Sequence, residues 1–312
     1  MNNDYELMLK AYEQSGGERK IFTSSKFPHL LLKENKILSS SGIEGLELNI
    51  KETKTGIKGE IRAKKGIKIS EKVHLCFGVI PEDGLQEILV NFIIEDGAEV
   101  SFLAHCTFPN SVKVKHIMKS EIKLGKDATM EYSEFHYHGE KAGALVFPTI
   151  DAHVSEKGKF RANFFITSGR VGKLVIRYKV TVEDYGLAEL VAKAYGKSID
   201  EVRFVEKIYL NGKYSRGLIK SRVALRDRAK GRVISGTVGR GDFCRGHVDC
   251  VEIVKDQADA KAFPVVEVTN DKAKVTHEAA IGRVDKKQLD TLMSRGLSEE
   301  EAVDVVVRGM MR

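Results

Sequence analysis

A charged turn, a small residue and an alternating strand recur along this chain at a nearly constant spacing. The segments DGAEV (96–100), KDATM (126–130), EKGKF (156–160), DRAKG (227–231), DQADA (256–260) and DKAKV (271–275) carry the pattern. Their small residues are Ala98, Ala128, Gly158, Ala229, Ala258 and Ala273, with successive separations of 30, 30, 71, 29 and 15. All but the long gap lie within one residue of a multiple of fifteen. Such a register marks a stacked β-architecture in which each rung buries its apolar face against the next. A sandwich would show turns about 8–12 residues apart and no reason for a longer repeat.

The strands between these turns have period two. LELNI (46–50), ILVNFII (88–94), VSFLAHC (100–106), VKVKHIM (112–118) and MEYSEFHYH (130–138) alternate apolar and polar residues, the signature of half-buried β-structure. Helical spacing is confined to three places. Tyr5, Met8, Leu9 and Tyr12 share one face of residues 4–13, and Ser15, Gly16 and Gly17 stop that helix. Leu187, Leu190, Val191 and Ala194 predict a helix inserted over about 183–203, which would account for the long gap. Asp285 caps a helix carrying Leu289, Leu292 and Met293, with Gly296 at its stop. Ser298 and Glu301 then form a capping box before a helix with Ala302, Val303, Val306, Val307 and Met310 on one side. The expected organisation is a helical segment over 1–27, a β-core over 28–281 and a helical hairpin over 282–312. That hairpin caps the last rung or offers its apolar stripe to a partner.

Composition removes several classes of function. The net charge of +7 is dispersed among acids, without the single-sign stripe of a nucleic-acid footprint. No apolar run is long enough for a membrane span, and the first residues lack a basic segment followed by an apolar one, so a cytoplasmic protein is expected. Four cysteines in 312 residues make no disulfide framework, and no CxxC pair is present. AYGKS (194–198) looks like part of a phosphate loop, but Val191 stands where the first glycine should be. GRVGK (169–173) fails too, because Leu174 replaces the hydroxyl that would hold magnesium. This chain is therefore not expected to bind ATP itself, and it shows no signal for a flavin.

Several side chains could carry metal or thiol chemistry. Cys244, His247 and Cys250 are spaced three apart in GRGDFCRGHVDC. They could converge if the loop curls, although in an extended strand Cys244 and Cys250 share a face that His247 does not. His136 and His138 lie on one face of a strand with no third ligand adjacent in sequence, so a core or surface pair is the simpler reading. His105 and Cys106 point to opposite faces, while His74 and Cys76 share one. A reactive Cys250 would need its thiol pKa lowered, for which Arg245 and His247 are the nearest cations in sequence.

The stretch from 265 to 310 adds a resemblance. Its Thr276-His277-Glu278-Ala279 core, its Gly-Arg-Val-Asp step at 282–285 and its SRGLSEEEA hairpin are similar to the carboxyl-terminal signature of the SufB/SufD family, scaffolds of the SUF iron–sulfur cluster assembly system. The resemblance implies a right-handed parallel β-helix, or β-solenoid, with short terminal helical regions. It implies dimerisation as a homodimer or a SufB/SufD-type heterodimer, docking of a SufC-like ABC-type ATPase on the C-terminal helices, and delivery to acceptor apoproteins. The chain would be a non-enzymatic scaffold holding a transient iron–sulfur cluster, with no nucleic acid or membrane as partner.

Carried over by position, His277 and Glu278 match the family's histidine and glutamate. The family cysteine falls on Asp249, one residue short of Cys250, so a strand bulge with Cys250 as ligand and an unbulged strand with Asp249 as ligand both stay open. The cluster candidates are thus Cys250, His277 and Glu278, with Asp249, Cys244 and His247 behind them. The ATPase would meet Leu289, Leu292, Met293, Val303, Val306 and Met310. A β-helix enzyme acting on acidic polysaccharide, or a purely structural solenoid, are the alternatives from other classes. Few aromatics and no tryptophan disfavour the enzyme.

Overall fold

The computed structural model describes residues 3–24, 26–141 and 143–311. They form a parallel β-solenoid of about eight turns with short helices at both ends. Two sheets, of ten and nine strands, face each other. From Val73–Gly78 onward consecutive strands alternate between the sheets, and every pairing is parallel. The pairings His29–Lys33 with Lys36–Ser41 and Leu46–Glu52 with Gly56–Ala63 are antiparallel and close the first end.

One turn contains two strands, so the fifteen-residue spacing is half a turn. The ladder Glu99, Thr129, Lys159, Leu187, Arg216, Arg245, Lys274 runs without a slip along one sheet. Inward positions stack into columns of Val, Ile, Leu, Phe and Ala that form one continuous core. Each column is an apolar seam that no single rung could bury alone.

The expected helix over 183–203 is absent. These residues form strands Leu187–Gly196 and Glu201–Leu210. Ala188, Leu190, Ala192 and Ala194 point inward with period two, while Lys193 and Tyr195 on the outer face are also buried, against the C-terminal helices. Burial on both faces blurs the alternation, and a short two-sided apolar run cannot be told from a helix by period alone. The long gap is therefore no interruption. Between Gly158 and Ala229, Gly186 and Ser215 hold the corner positions, and Cys244 holds the next, each passing its carbonyl to the first strand residue of the turn above. Ala229 belongs to the opposite corner.

These corners are tight. Tyr185, Tyr214 and Phe243 adopt φ of 57°, 55° and 59°, and their rings stack at 5.4 and 5.1 Å. At the neighbouring corners a Cβ on Gly241 would lie 2.0 Å from the Gly212 carbonyl oxygen, so only glycine fits there.

Helix Asn3–Gln14 lies on the outer face of the first turns, where Met8, Leu9 and Tyr12 pack with Leu31 and Cys76. Helices Lys286–Met293 and Glu299–Met310 fold back onto the flank near the other end. Asp285 accepts from the Gln288 amide, and Ser298 with Glu301 completes a capping box. Lys193 donates to the Met311 carbonyl at 2.8 Å and Tyr195 to Asp304 at 2.9 Å. Among the described residues no helix is long and apolar enough to cross a membrane.

Candidate functional site

Cys250 sits in strand Arg245–Val254, whose inward side chains are Val248, Cys250 and Glu252 and whose outward ones include Arg245, His247 and Asp249. The register Lys220 to Asp249 and Ser221 to Cys250 is continuous, without a bulge. Cys250 therefore faces the interior at 1% exposure, and Asp249 faces out. The outward carboxylate is occupied. Arg222 donates to both of its oxygens, and this guanidinium holds the carboxyl below the usual aspartate range.

The surroundings of Cys250 come from four strands. Ser221 lies beside it one turn earlier. Across the interior, Glu206 accepts hydrogen bonds from Ser221 (2.6 Å) and Ser235 (3.0 Å). Glu252, two residues along from Cys250, is 1% exposed, and neither of its carboxylate oxygens has a hydrogen-bond partner. Burial pushes the Cys250 thiol up to about 11, and Glu206 and Glu252 add to that rise while the serine hydroxyls oppose it. This corrects the expectation that Arg245 or His247 lowers it, since both lie on the other face. Burial likewise raises Glu206 and Glu252 to about 7. The pocket thus holds a protonated thiol among carboxyl groups that lose their protons near neutrality.

Strand Lys274–Arg283 lies on top of this one as the last of its sheet. His277 pairs with Val248 and Glu278 with Asp249, so His277 continues the inward column and Glu278 the outward one. Both are exposed because no further rung covers them. Within one chain, thiol and imidazole thus lie on the same side of adjacent strands, two residues apart along them, and the Glu278 carboxylate lies on the other side. Cys244, His247 and Cys250 do not converge. Cys244 is the buried small residue of a corner, and the His247 ring is bonded to the Thr276 hydroxyl at 2.8 Å.

The final turn is bare. Along its two strands, Asp259–Val268 and Lys274–Arg283, Phe263, Val265, Val266, Val268 and Ile281 are between 38% and 49% exposed. Of the residues expected to meet an ATPase, Leu289 and Val303 are buried against the Tyr195–Ala224 flank. Leu292, Val306 and Met310 are partly buried, and Met293 is exposed.

The family description SUF system FeS cluster assembly, SufBD core domain, matches residues 83–310. The chain belongs to the SufBD family. It is 39% identical over 308 residues to the iron-sulfur cluster assembly SufBD family protein of Methanocaldococcus jannaschii, covering 98% of each chain. A SufBD family protein of Pyrococcus horikoshii is 31% identical, with 99% of this chain and 94% of that one covered. A second protein of that organism with the same family name is 26% identical over 80% of this chain and 55% of its own length. The SufBD family role in iron–sulfur cluster assembly therefore applies to this chain.

Two groups escaped the sequence reading. Glu206, Ser221 and Ser235 come from three successive strands and meet only when the turns stack. Glu134 and Cys106 join the His136–His138 pair inside the early turns. Glu134 was legible two residues before His136 on the same face, and Cys106 is thirty residues before it, one full turn away.

Proposed function

We propose that this protein is a cluster-assembly scaffold that works as a dimer joined through its last turn, with a nascent iron–sulfur cluster held by Cys250, His277 and Glu278 at that seam. The exposed final rung carries this reading. An open edge of two strands presents unpaired backbone groups and large apolar side chains, a combination that invites another strand edge. A second copy would bring its own Glu278 and His277 toward the first, so that thiolate, imidazole and carboxylate could come from both subunits. These donor types suit iron and the cluster.

The chain would supply ligands and position rather than bond-breaking chemistry. Nucleotide hydrolysis would belong to a SufC-like ABC-type ATPase in the cytoplasm, seated on the exposed remainder of the C-terminal hairpin around Met293. The finished cluster would pass to acceptor apoproteins. Cys250 loses its proton when iron binds, and the Glu206 and Glu252 carboxyl groups are placed to receive it or to keep it close.

Anaerobic reconstitution with iron and sulfide should give a visibly absorbing cluster, and Cys250→Ser or Glu278→Ala should reduce it severalfold. A spectrum unchanged in both variants would remove the assignment.

A further inference from the structure

A second group of donors lies deep in the early turns. Among the described residues, Cys106, Glu134 and His136 are the one set of three or more ligand-bearing side chains whose donor atoms all fall within 4.8 Å of one another. Cys106 Sγ is 3.9 Å from Glu134 Oε1. Cys106, Glu134, His136 and His138 are inward residues of adjacent strands in the ten-stranded sheet, and His116 faces them from the nine-stranded one. None of the five is more than 4% exposed. Phe108 and Phe164 pack against the imidazoles.

The hydrogen bonds fix where the protons are. The Val171 carbonyl can only accept, so His138 Nδ1 carries a hydrogen and donates to it at 3.2 Å. Both rings are buried, where a charged imidazolium would be costly, so both are neutral. His138 Nε2 is then a lone pair, and it accepts from His136 Nδ1 at 3.2 Å. That leaves the His136 Nε2 lone pair pointing at Glu134 Oε1 in close contact. Two acceptors cannot face each other without a positive centre between them. A proton held between Glu134 and His136 is one solution. A cation is the other, once the two side chains part to ligand spacing, and two further features favour it. The Cys106 thiol abuts the same carboxylate, and His116 is wholly buried with neither ring nitrogen partnered.

We propose that Cys106, Glu134 and His136 form a closed site for a divalent transition-metal ion of the zinc or iron(II) kind, with the unpartnered His116 facing it from the other sheet, separate from the cluster seam. One sulfur, one oxygen and one imidazole nitrogen make a three-ligand set of that type, which the His116 ring would complete on shifting toward it, and ligand atoms about such an ion lie roughly 3.5 Å apart. A single carboxylate with a soft thiolate does not suit calcium or magnesium. Charge also balances. The thiol and the carboxyl each release a proton on binding, and the two resulting anions neutralise the dication where an unpaired charge would be costly. His138 acts as a positioning residue, holding His136 in the tautomer that presents Nε2.

The test is made on the full-length chain in a Cys250→Ala/His277→Ala background, so that the cluster seam cannot contribute. Cells are grown with added cobalt or zinc, and the purified protein is measured for metal content. We expect about one equivalent per chain that resists chelator until unfolding, and a thiolate-to-cobalt charge-transfer band in the cobalt form. Cys106→Ser should remove that band, and His138→Ala should weaken affinity about 10–100-fold. Glu134→Gln, which can still donate to His136 in a folded chain, should lose the metal while keeping the parent's secondary structure. Metal-free protein from supplemented cells would overturn the proposal, as would content unchanged in both Cys106→Ser and Glu134→Gln. Failure here would leave the seam assignment untouched, because that seam is already deleted.

Discussion

Arg222 clamps both carboxylate oxygens of Asp249 on the outer face of the solenoid, from one turn earlier and two residues further along its strand. The same guanidinium also donates to the backbone carbonyls of Ser221 and Asp249. This pairing engages Asp249 on the outside while Cys250 faces inward, which is why Cys250 is the one in the proposed ligand set. Asp249→Asn should therefore leave reconstituted cluster absorbance within twofold of the parent, while lowering stability by about 1–2 kcal/mol through the lost charge-assisted bonds. Chemical denaturation and anaerobic reconstitution of the same variant check the two halves. A lost cluster at full stability would move the ligand to Asp249.

Glu206 should make stability depend on pH in a direction opposite to that of most carboxylates. Its pKa is raised by burial from an ordinary 4.5 to about 7, and it faces Ser221, Ser235, Cys250 and Tyr178. The native state then binds more protons than the unfolded one over that interval, so stability falls as pH rises from about 4.5 to about 7 and levels beyond it. Glu206→Gln should flatten this slope by an amount on the order of 3 kcal/mol across the window. Urea midpoints measured across that range read it directly, and parallel slopes in variant and parent would contradict it.

The bare final turn predicts that association, not folding, depends on its apolar side chains. Phe263 and Val265 point outward, in register with Ile234 and Gly236 of the turn before, and are about half exposed. Under the proposed last-turn dimer, replacing both with glutamate should shift the protein from dimer to monomer in light scattering at micromolar concentration and leave the monomer's thermal midpoint nearly unchanged. A variant that remains dimeric would place the subunit contact elsewhere.

The C-terminal hairpin should separate into a buried half and a presenting half. Val303 is 1% exposed against the flank, so Val303→Asp should detach the helices and open residues 294–298 to protease, at a cost of about 3 kcal/mol. Ser298→Ala removes one half of the capping box and should cost about 1 kcal/mol. Met293→Glu should leave the melt unchanged and weaken only the capture of an ABC-type ATPase. Equal capture by that variant would exclude this face as the docking site.

How far the sequence disclosed this protein depends on whether a feature lies along the chain or across it. Period-two strands, the half-turn spacing and the Ser298–Glu301 cap are local, and each is legible from a short window. Residues 183–203 misled because Lys193 and Tyr195 are covered on the outside, so both faces of a strand read as apolar. The face of His277 relative to Glu278 follows from simple alternation. The company of Cys250 does not. Glu206, Ser221 and Ser235 belong to three other strands, and only the register of stacked turns brings their hydroxyls and carboxyl to one thiol. The same applies to Cys106 and His136, which are partners across one turn although thirty residues separate them.

The unbroken 29-residue ladder from Leu187 through Arg216 and Arg245 to Lys274 gives the late turns a modular grammar. Excising residues 216–244 as a block would join Gly186-to-Ser215 chain onto Arg245 with every column still aligned, whereas deleting one strand residue would turn the rest of that strand inside out. Length in this protein is thus adjustable in whole turns, and the distance from the N-terminal helix to the open rim could change between relatives while the chemistry at the rim stayed the same.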